Sequence, residues 1–256
     1  MRTLMYHDIA TPSEREAIGF PGPLAARYKL EPAAFEAHLD ALAATGLAPA
    51  PLRSGEAPAP APATAITFDD GGASAPAAAA ALERRGWRGQ FFITTSRIDT
   101  PGFASSEQLR ELARQGHELG SHSHTHPTYM GRLTRAELDE EWTRSRELLG
   151  ELLGSAPRTA SVPGGFLSEQ VIASAAAAGY ELLFTSEPTA RVTDRGLVVR
   201  GRYTIWASTP ARIAAAYARG ERLACGRLWL EWNAKKLATT ASPAVYQRLR
   251  RVRARV

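Results

Sequence analysis

Short apolar segments alternate with longer segments of helical periodicity along most of the chain. Apolar runs predict strands, and spacings of three and four, as in Phe35, Leu39 and Leu42, predict helices. The predicted strands cover residues 3–7, 65–68, 90–95, 159–162, 181–185 and 197–205, and the predicted helices cover residues 31–46, 75–85, 106–115, 134–153, 168–178 and 210–219. Strands that alternate with helices in this way indicate a parallel α/β architecture.

Helix signals and composition set the expected domain organisation. Thr134 and Glu137 form a capping-box pair at the start of the longest predicted helix. Residues 48–63 are rich in Pro and Ala and predict a loop or stiff connector. The segment before this connector is too short to form a core alone, so we do not interpret it as a domain boundary. We expect one domain over residues 1–256, with a basic C-terminal extension from about residue 226.

The charge of the chain is unevenly placed. The net charge is +5, and Arg248–Val256 contains five arginines. This run could contact an acidic or lipid-linked substrate, or it could be a solvated terminus. A single cysteine excludes an intrachain disulfide. We find no apolar stretch of transmembrane length, no leader pattern at the N-terminus and no nucleic-acid motif, and the sequence could be a mature form from which a leader was removed. We expect a soluble, cytoplasmic protein.

Two adjacent carboxylates follow the apolar segment at residues 65–68. Thr67–Gly72 reads TFDDGG, and the C-terminal end of a parallel strand is where α/β proteins build their sites. Neighbouring residues on a strand point to opposite faces, so Asp69 and Asp70 would not share one task unless the strand has already ended. One of them could instead cap the next helix, or both could form a turn with Gly71.

Four of the six histidines fall within residues 117–126. His122 and His126 would share a face in a helical turn, and with His124 they would share one in an extended segment. Clustered imidazoles are common metal ligands, although a polar surface loop would also explain them. Two histidines and one carboxylate leave a coordination position open for water, and a second carboxylate could accept the proton of that water. The pattern therefore indicates a metal-dependent hydrolase.

With these two motifs the chain resembles polysaccharide deacetylases of the NodB-homology type, carbohydrate esterase family four. The resemblance rests on the TFDDG motif and on His122–Pro127, which reads HSHTHP. It implies that Asp69 is the catalytic base and that Asp70, His122 and His126 bind a divalent metal, usually zinc. It also implies a distorted (β/α) barrel of about seven parallel strands, and hydrolysis of the N-acetyl group of an amino sugar or glycan.

The third family motif is altered. The family places an arginine, which helps to hold the catalytic aspartate, where this chain has Ser161. Arg158 and Arg202 are candidates to replace it, and we favour Arg202. Gly164 stands where the family has an aromatic residue, yet its backbone N–H could still help to form an oxyanion hole. Trp206 corresponds to an aromatic of the fourth motif or is a core residue.

The late family histidine, the usual proton donor to the leaving amine, is missing because no histidine follows His126. His7 and His124 are candidates to replace it, and we favour His7 because it ends the first predicted strand. Alternatively, a metal-bound water and Asp69 could move the proton without a histidine, at a slower rate. The departures also leave two other functions open. One is a related metal-dependent hydrolase of small amides, imides or formyl sugars, and the other is a degenerate barrel that binds glycan without turnover.

Overall fold

The computed structural model describes residues 2–53, 63–165, 167–188, 190–192 and 196–241. The strands are Arg2–Tyr6 (β1), Thr64–Phe68 (β2), Gln90–Ile93 (β3), Glu118–Ser121 (β4), Thr159–Ser161 (β5), Leu182–Thr185 (β6), Ala190–Val192 (β7), Val198–Gly201 (β8) and Tyr203–Thr204 (β9). The helices are Pro23–Ala26 (α1), Pro32–Ala43 (α2), Ala75–Glu83 (α3), Ser106–Arg114 (α4), Arg135–Leu153 (α5), Glu169–Ala177 (α6), Ala211–Arg219 (α7) and Arg222–Ala241 (α8).

The strands form one sheet in the order β7-β8-β6-β5-β4-β3-β2-β1-β9, which is nearly closed into a barrel. All pairs are parallel except β7 with β8. Strand β8 pairs with β6 on one side, whereas β9 pairs with β1 on the other. A single extended segment therefore joins the two sides of the barrel, with Arg202 between its halves. The predicted distorted (β/α) barrel is confirmed.

Most predicted elements are present within one or two residues of their expected bounds. The capping box of α5 is confirmed, with Thr134 accepting from the backbone of Glu137. The strand predicted over residues 197–205 is wrong in one respect, because it breaks at Arg202. Strands β4 and β7 and helices α1 and α8 were not predicted. Strand β4 contains Gly120 and only four residues, and so carries a weak pattern.

Aromatic side chains make up much of the core beside the site. Phe68 stacks on Phe91 with ring centroids 4.7 Å apart, and Tyr6 packs against Phe35 and Phe68. All five residues of β2 are buried. Each such aromatic side chain contributes roughly 1.5–3 kcal/mol by leaving water. This packing fixes β1 and β2 in register, with Tyr6 paired to Phe68, and so fixes the residues that follow both strands.

The C-terminal ends of the parallel strands meet at one end of the barrel, where α/β barrels build their sites. His7 follows β1, Asp69 follows β2, His122 follows β4, and Ser161 is the last residue of β5. Among the described residues, no helix has the length and apolarity required to cross a bilayer. The predicted contact by Arg248–Val256 lies outside the described residues.

Candidate metal and catalytic site

The two aspartates leave β2 through a tight turn. Asp69 still donates its backbone N–H to the carbonyl of Tyr6, but Asp70 and Gly71 both have a φ of 76°. A Cβ at Gly71 would lie 3.3 Å from the Cα of Ile93, so both its conformation and its surroundings favour glycine. The strand has therefore ended at Asp70, and the alternation that would send the two carboxylates apart no longer applies.

The histidine segment also turns sharply, immediately after β4. Ser123 and His126 adopt positive φ values of 64° and 63°, which non-glycine residues rarely do. Glu141 of α5 holds this turn by accepting the backbone N–H groups of His124 and Thr125 at 2.9 and 2.8 Å. The backbone is strained at both Ser123 and His126, and such strain persists only where contacts from the surrounding structure hold it. The predicted alternatives, a helical turn or an extended segment, are both wrong for residues 122–126.

Together the two turns bring Asp70, His122 and His126 into one cluster. Asp70 Oδ1 lies 3.4 Å from the Nε2 atoms of both histidines, and one ligand atom from each residue lies within 4.8 Å of the others. Ligand atoms about 2.0–2.2 Å from a tetrahedral metal are roughly 3.3–3.6 Å apart. The spacing of Asp70 to each histidine thus fits a metal such as zinc, and three protein ligands would leave a fourth position open.

Polar and aromatic contacts orient these side chains. His122 Nδ1 lies 3.0 Å from the carbonyl oxygen of Ser161, which favours a proton on Nδ1 and leaves Nε2 free to bind a metal. The His126 ring packs on Phe20 with centroids 4.7 Å apart. Burial would raise the pKa of Asp70, but its close contacts with the His122 and His126 imidazoles outweigh burial and hold that pKa well below its usual range.

Phe20 reaches His126 because a buried lysine holds the preceding loop. Lys29 is 1% exposed, and its Nζ donates to the carbonyl oxygens of Arg15, Ile18 and Phe20, the last at 2.7 Å. Three carbonyl acceptors satisfy all three ammonium protons. No pattern in the sequence marks Lys29 or Phe20, because their positions depend on the path of an irregular loop.

Asp69 is held by Arg202. Arg202 Nη1 donates to Asp69 Oδ1 at 2.7 Å and Nη2 donates to Asp69 Oδ2 at 2.8 Å. Arg202 is fully buried, with its guanidinium carbon 5.5 and 5.8 Å from the ring centroids of Phe92 and Phe184. Burial opposes ionisation of Asp69, but the Arg202 cation and His122 outweigh it, so the pKa of Asp69 is lowered. Asp69 is therefore a carboxylate at neutral pH.

Ser161, at the position of the missing arginine, takes part in the same network. Its Oγ accepts from Arg202 Nη2 at 2.7 Å and donates to Asp69 Oδ2 at 3.3 Å. Its short side chain leaves space for the guanidinium that arrives from the junction of β8 and β9. Arg158, the other candidate, is exposed and pairs with Glu181 at 3.3 Å. Arg202 therefore makes the contact with Asp69, and Arg158 does not reach it.

Gly164 lies in a tight turn, Pro163–Gly165, directly after β5. It has a φ of 68° and is exposed, whereas Pro163 and Gly165 are buried. A Cβ at Gly165 would lie 1.6 Å from Ser186 Oγ, so this position requires glycine. The turn thus presents backbone at the same end of the barrel as Asp69 and Asp70.

His7 lies near enough to Asp69 and Asp70 for their charges to act on it, whereas His124 makes its contact elsewhere. The pKa of His7 is lowered by burial, and the charges of Asp70 and Asp69 act on it in the opposite direction. Its Nδ1 is buried and has no hydrogen-bond partner among the described residues. His124 Nδ1 lies 2.9 Å from Thr95 Oγ1, away from the cluster. Trp206 packs on Tyr28, and Tyr28 packs on the His7 ring with centroids 4.3 Å apart.

A family model described as polysaccharide deacetylase matches residues 56–183, half of the chain. YxkH of Bacillus subtilis (strain 168), whose name places it among the polysaccharide deacetylases, aligns over 141 residues at 28% identity. That alignment covers 55% of this chain and 50% of YxkH, so the chain spans about half the length of this relative.

Solved structures share the barrel. The deacetylase PplD of Streptococcus pyogenes, solved in complex with acetate, superposes with a TM-score of 0.68 at 20% identity, covering 82% of this chain and 94% of PplD. IcaB from Ammonifex degensii superposes with a TM-score of 0.69 at 22% identity, covering 85% of this chain and 96% of IcaB. At these identities the similarity is one of fold.

Proposed function

The chain belongs to the polysaccharide deacetylase family, and from that premise we propose that it is a metal-dependent hydrolase of the N-acetyl group of an amino sugar or glycan. Asp70, His122 and His126 would hold one divalent metal ion, with zinc the best fit to two imidazoles and a carboxylate. The observation that carries the proposal is the placement of Asp69, a buried carboxylate fixed by Arg202, directly beside these three ligand atoms.

A bound metal would lower the pKa of a water molecule and polarise the acetamide carbonyl. Asp69 is the base that takes the proton from the attacking water. Both oxygens of Asp69 accept from Arg202, which keeps the carboxylate ionised and prevents it from rotating. Asp69 Oδ2 also lies 3.9 Å from His122 Nε2, so the base and the proposed metal ligands act on the same small volume.

The backbone N–H of Gly164 is the proposed oxyanion donor. A carbonyl that is attacked by water develops negative charge on its oxygen, and a fixed N–H group stabilises that charge without reorganising. The Pro163–Gly165 turn is held on the β6 side by Thr185 Oγ1, which donates to the carbonyl of Gly165 at 2.7 Å. A glycine at position 164 supplies this donor as well as an aromatic residue does, because the donor is backbone.

His7 is the proposed route for the proton to the leaving amine. It lies on the chain directly after β1, and the Asp69 and Asp70 carboxylates act on its charge. Because burial lowers its pKa, the neutral ring can accept a proton from Asp69 and then pass it on. His124 is less suitable because its ring is turned toward Thr95.

A product assay separates this function from its alternatives. The zinc-loaded protein is incubated with N-acetylglucosamine oligomers, nucleotide-linked N-acetylglucosamine and N-formylated amino sugars, and acetate, formate and ammonia are each measured. We expect acetate release from at least one acetylated sugar, and none after the metal is removed by a chelator. Formate or ammonia as the main product would show instead that the protein is the related hydrolase of small amides or formyl sugars. Calorimetric binding of a glycan with no product would assign a glycan-binding barrel.

A further inference from the structure

Three large apolar side chains stand exposed on α8, the last helix that the structure describes. Leu223 is 92% exposed, Leu230 62% and Trp229 45%. Within the described residues, no large apolar side chain outside this helix is exposed to a comparable extent. Isolated exposed apolar side chains are ordinary, but three large ones on one short segment form a patch that is typical of an interaction surface.

The patch lies on the side of α8 that faces away from the barrel. Leu228 is buried, and Ala224 and Cys225 pack against the core, so these residues fix the inner face of the helix. Leu223 and Leu230 are seven residues apart, which places them two turns apart on one line of the outer face. The exposed leucines therefore form a stripe on the outer face of a helix whose inner face packs on the barrel.

Cations border this stripe on both sides. At 3.6 residues per turn, Arg222 lies to one side of the line through Leu223 and Leu230, and Arg227 lies to the other. Both arginines are exposed. Arg227 pairs with Glu231 at 2.9 Å, and its side chain is still 84% exposed. Trp229 lies on the same side as Arg222, at the border between the apolar stripe and the core.

The sequence charge is concentrated in the same part of the chain. Residues 222–256 contain nine Lys or Arg and one Asp or Glu, a net charge of +8. The preceding 221 residues contain 22 basic and 25 acidic residues, a net charge of −3. The whole positive excess of the protein therefore belongs to α8 and to the residues that follow it, and the catalytic barrel is slightly acidic.

We propose that the outer face of α8, formed by Arg222, Leu223, Arg227, Trp229 and Leu230, docks the protein on an anionic lipid membrane. Leucines in the centre of the face, arginines on both sides of them and a tryptophan at one edge are the pattern of a helix that lies in a bilayer interface. The +8 segment is attracted to anionic headgroups. The same positive charge opposes pairing of two copies of the chain through this face. A nucleic acid would match the charge, but it would leave the exposed leucines in contact with water.

Vesicle co-sedimentation of the full chain tests this proposal. The vesicles are either pure phosphatidylcholine or an equimolar mixture of phosphatidylcholine and phosphatidylglycerol. The variants are Leu223→Gln combined with Leu230→Gln, and Arg222→Gln combined with Arg227→Gln. Arg84→Gln combined with Arg114→Gln is the charge-matched control, since these two arginines are exposed on other parts of the barrel.

We expect wild-type protein to sediment with the anionic vesicles and not with pure phosphatidylcholine. The leucine variant should bind about tenfold more weakly, the Arg222 and Arg227 variant several-fold more weakly, and the control variant like wild type. Unchanged anionic binding by the leucine variant would overturn the proposal, since the basic residues after α8 would then act alone. Equal loss in the control variant, absence of vesicle binding, or a dimer that dissociates on the leucine substitutions would also overturn it.

Discussion

Arg202 and Asp69 form a buried, two-pronged ion pair at the place where the barrel closes. Arg202 stands between β8 and β9, which pair with opposite sides of the sheet, and both oxygens of Asp69 accept from its guanidinium. The same residue thus joins the two sides of the barrel and holds the proposed base. Loss of Arg202 would leave a buried carboxylate without its cation.

Arg202→Met should therefore lower both stability and activity. Removing one partner of a buried pair costs about 3–5 kcal/mol. Since Arg202 lowers the pKa of Asp69, its loss should raise that pKa and move the acidic limb of the pH profile of kcat/KM to higher pH. Arg202→Lys keeps the positive charge but loses the two parallel hydrogen bonds to Asp69. Its stability and activity should therefore lie between those of wild type and Arg202→Met. Arg158→Met, at the exposed alternative, should change stability by less than about 0.5 kcal/mol. Equal effects at both arginines would contradict this assignment.

The histidine cluster contains its own matched control. Loss of a residue that only orients a metal ligand typically weakens metal binding about 10- to 100-fold. His122→Gln or His126→Gln should weaken zinc binding by more than this, because each would remove a ligand. His124→Gln, at the middle position, should leave zinc affinity unchanged, since its ring contacts Thr95. Isothermal titration of the metal-free proteins with zinc measures all three. Strong loss of affinity in the His124 variant would show that the wrong imidazoles are assigned.

His7 and His124 also differ in their expected effect on turnover. With zinc bound, His7→Gln should lower kcat by about 10²- to 10⁴-fold, the range for loss of a proton-transfer group. His124→Gln should change kcat only slightly. Zinc stoichiometry in both variants shows whether metal has been retained. A fully active, zinc-loaded His7 variant would leave Asp69 as the only proton carrier in the proposed mechanism.

Asp8 predicts a pH dependence of stability. Burial raises its pKa to about 7 from an ordinary value of 3.8, although Ser74 Oγ donates to Asp8 at 2.6 Å. The folded protein then holds a proton that the unfolded chain has lost, so this group lowers the free energy of unfolding as pH rises from about 4 to 7. Asp8→Asn should remove that loss, which amounts to about 4 kcal/mol above pH 7. Asp40→Asn, at an exposed carboxylate, is the control. Parallel pH curves for wild type and Asp8→Asn, measured by urea denaturation, would disprove this.

Much of the fold was predictable because strands and helices in this chain have regular patterns. The strands predicted over residues 3–7 and 65–68 match β1 and β2, which are largely apolar, and α5 carries a recognisable cap. Strand β4 was missed because Gly120 interrupts a short segment whose side chains contact other strands. A Cβ at Gly120 would lie 2.6 Å from Thr159 Oγ1, which explains the glycine only once β5 is in place.

The site was predictable where it consists of motif residues and unpredictable where it depends on tertiary contacts. Adjacent aspartates and clustered histidines are visible along the sequence. Glu141, which supports the histidine turn, stands 15 positions after His126 in the chain, and no local pattern marks this contact. Similarly, the Arg202 contact with Ser161 depends on closure of the barrel, which joins residues 41 positions apart.

The most direct test of the account compares Asp69→Asn with Asp70→Asn, measuring zinc per chain and acetate release on the same preparations. We predict that Asp69→Asn binds one zinc ion as wild type does, yet releases acetate about 10²- to 10⁴-fold more slowly, as expected for a lost base. Asp70→Asn should lose most of its zinc. Wild-type turnover in Asp69→Asn, or loss of its zinc while Asp70→Asn keeps the metal, would contradict the proposed roles of the two aspartates.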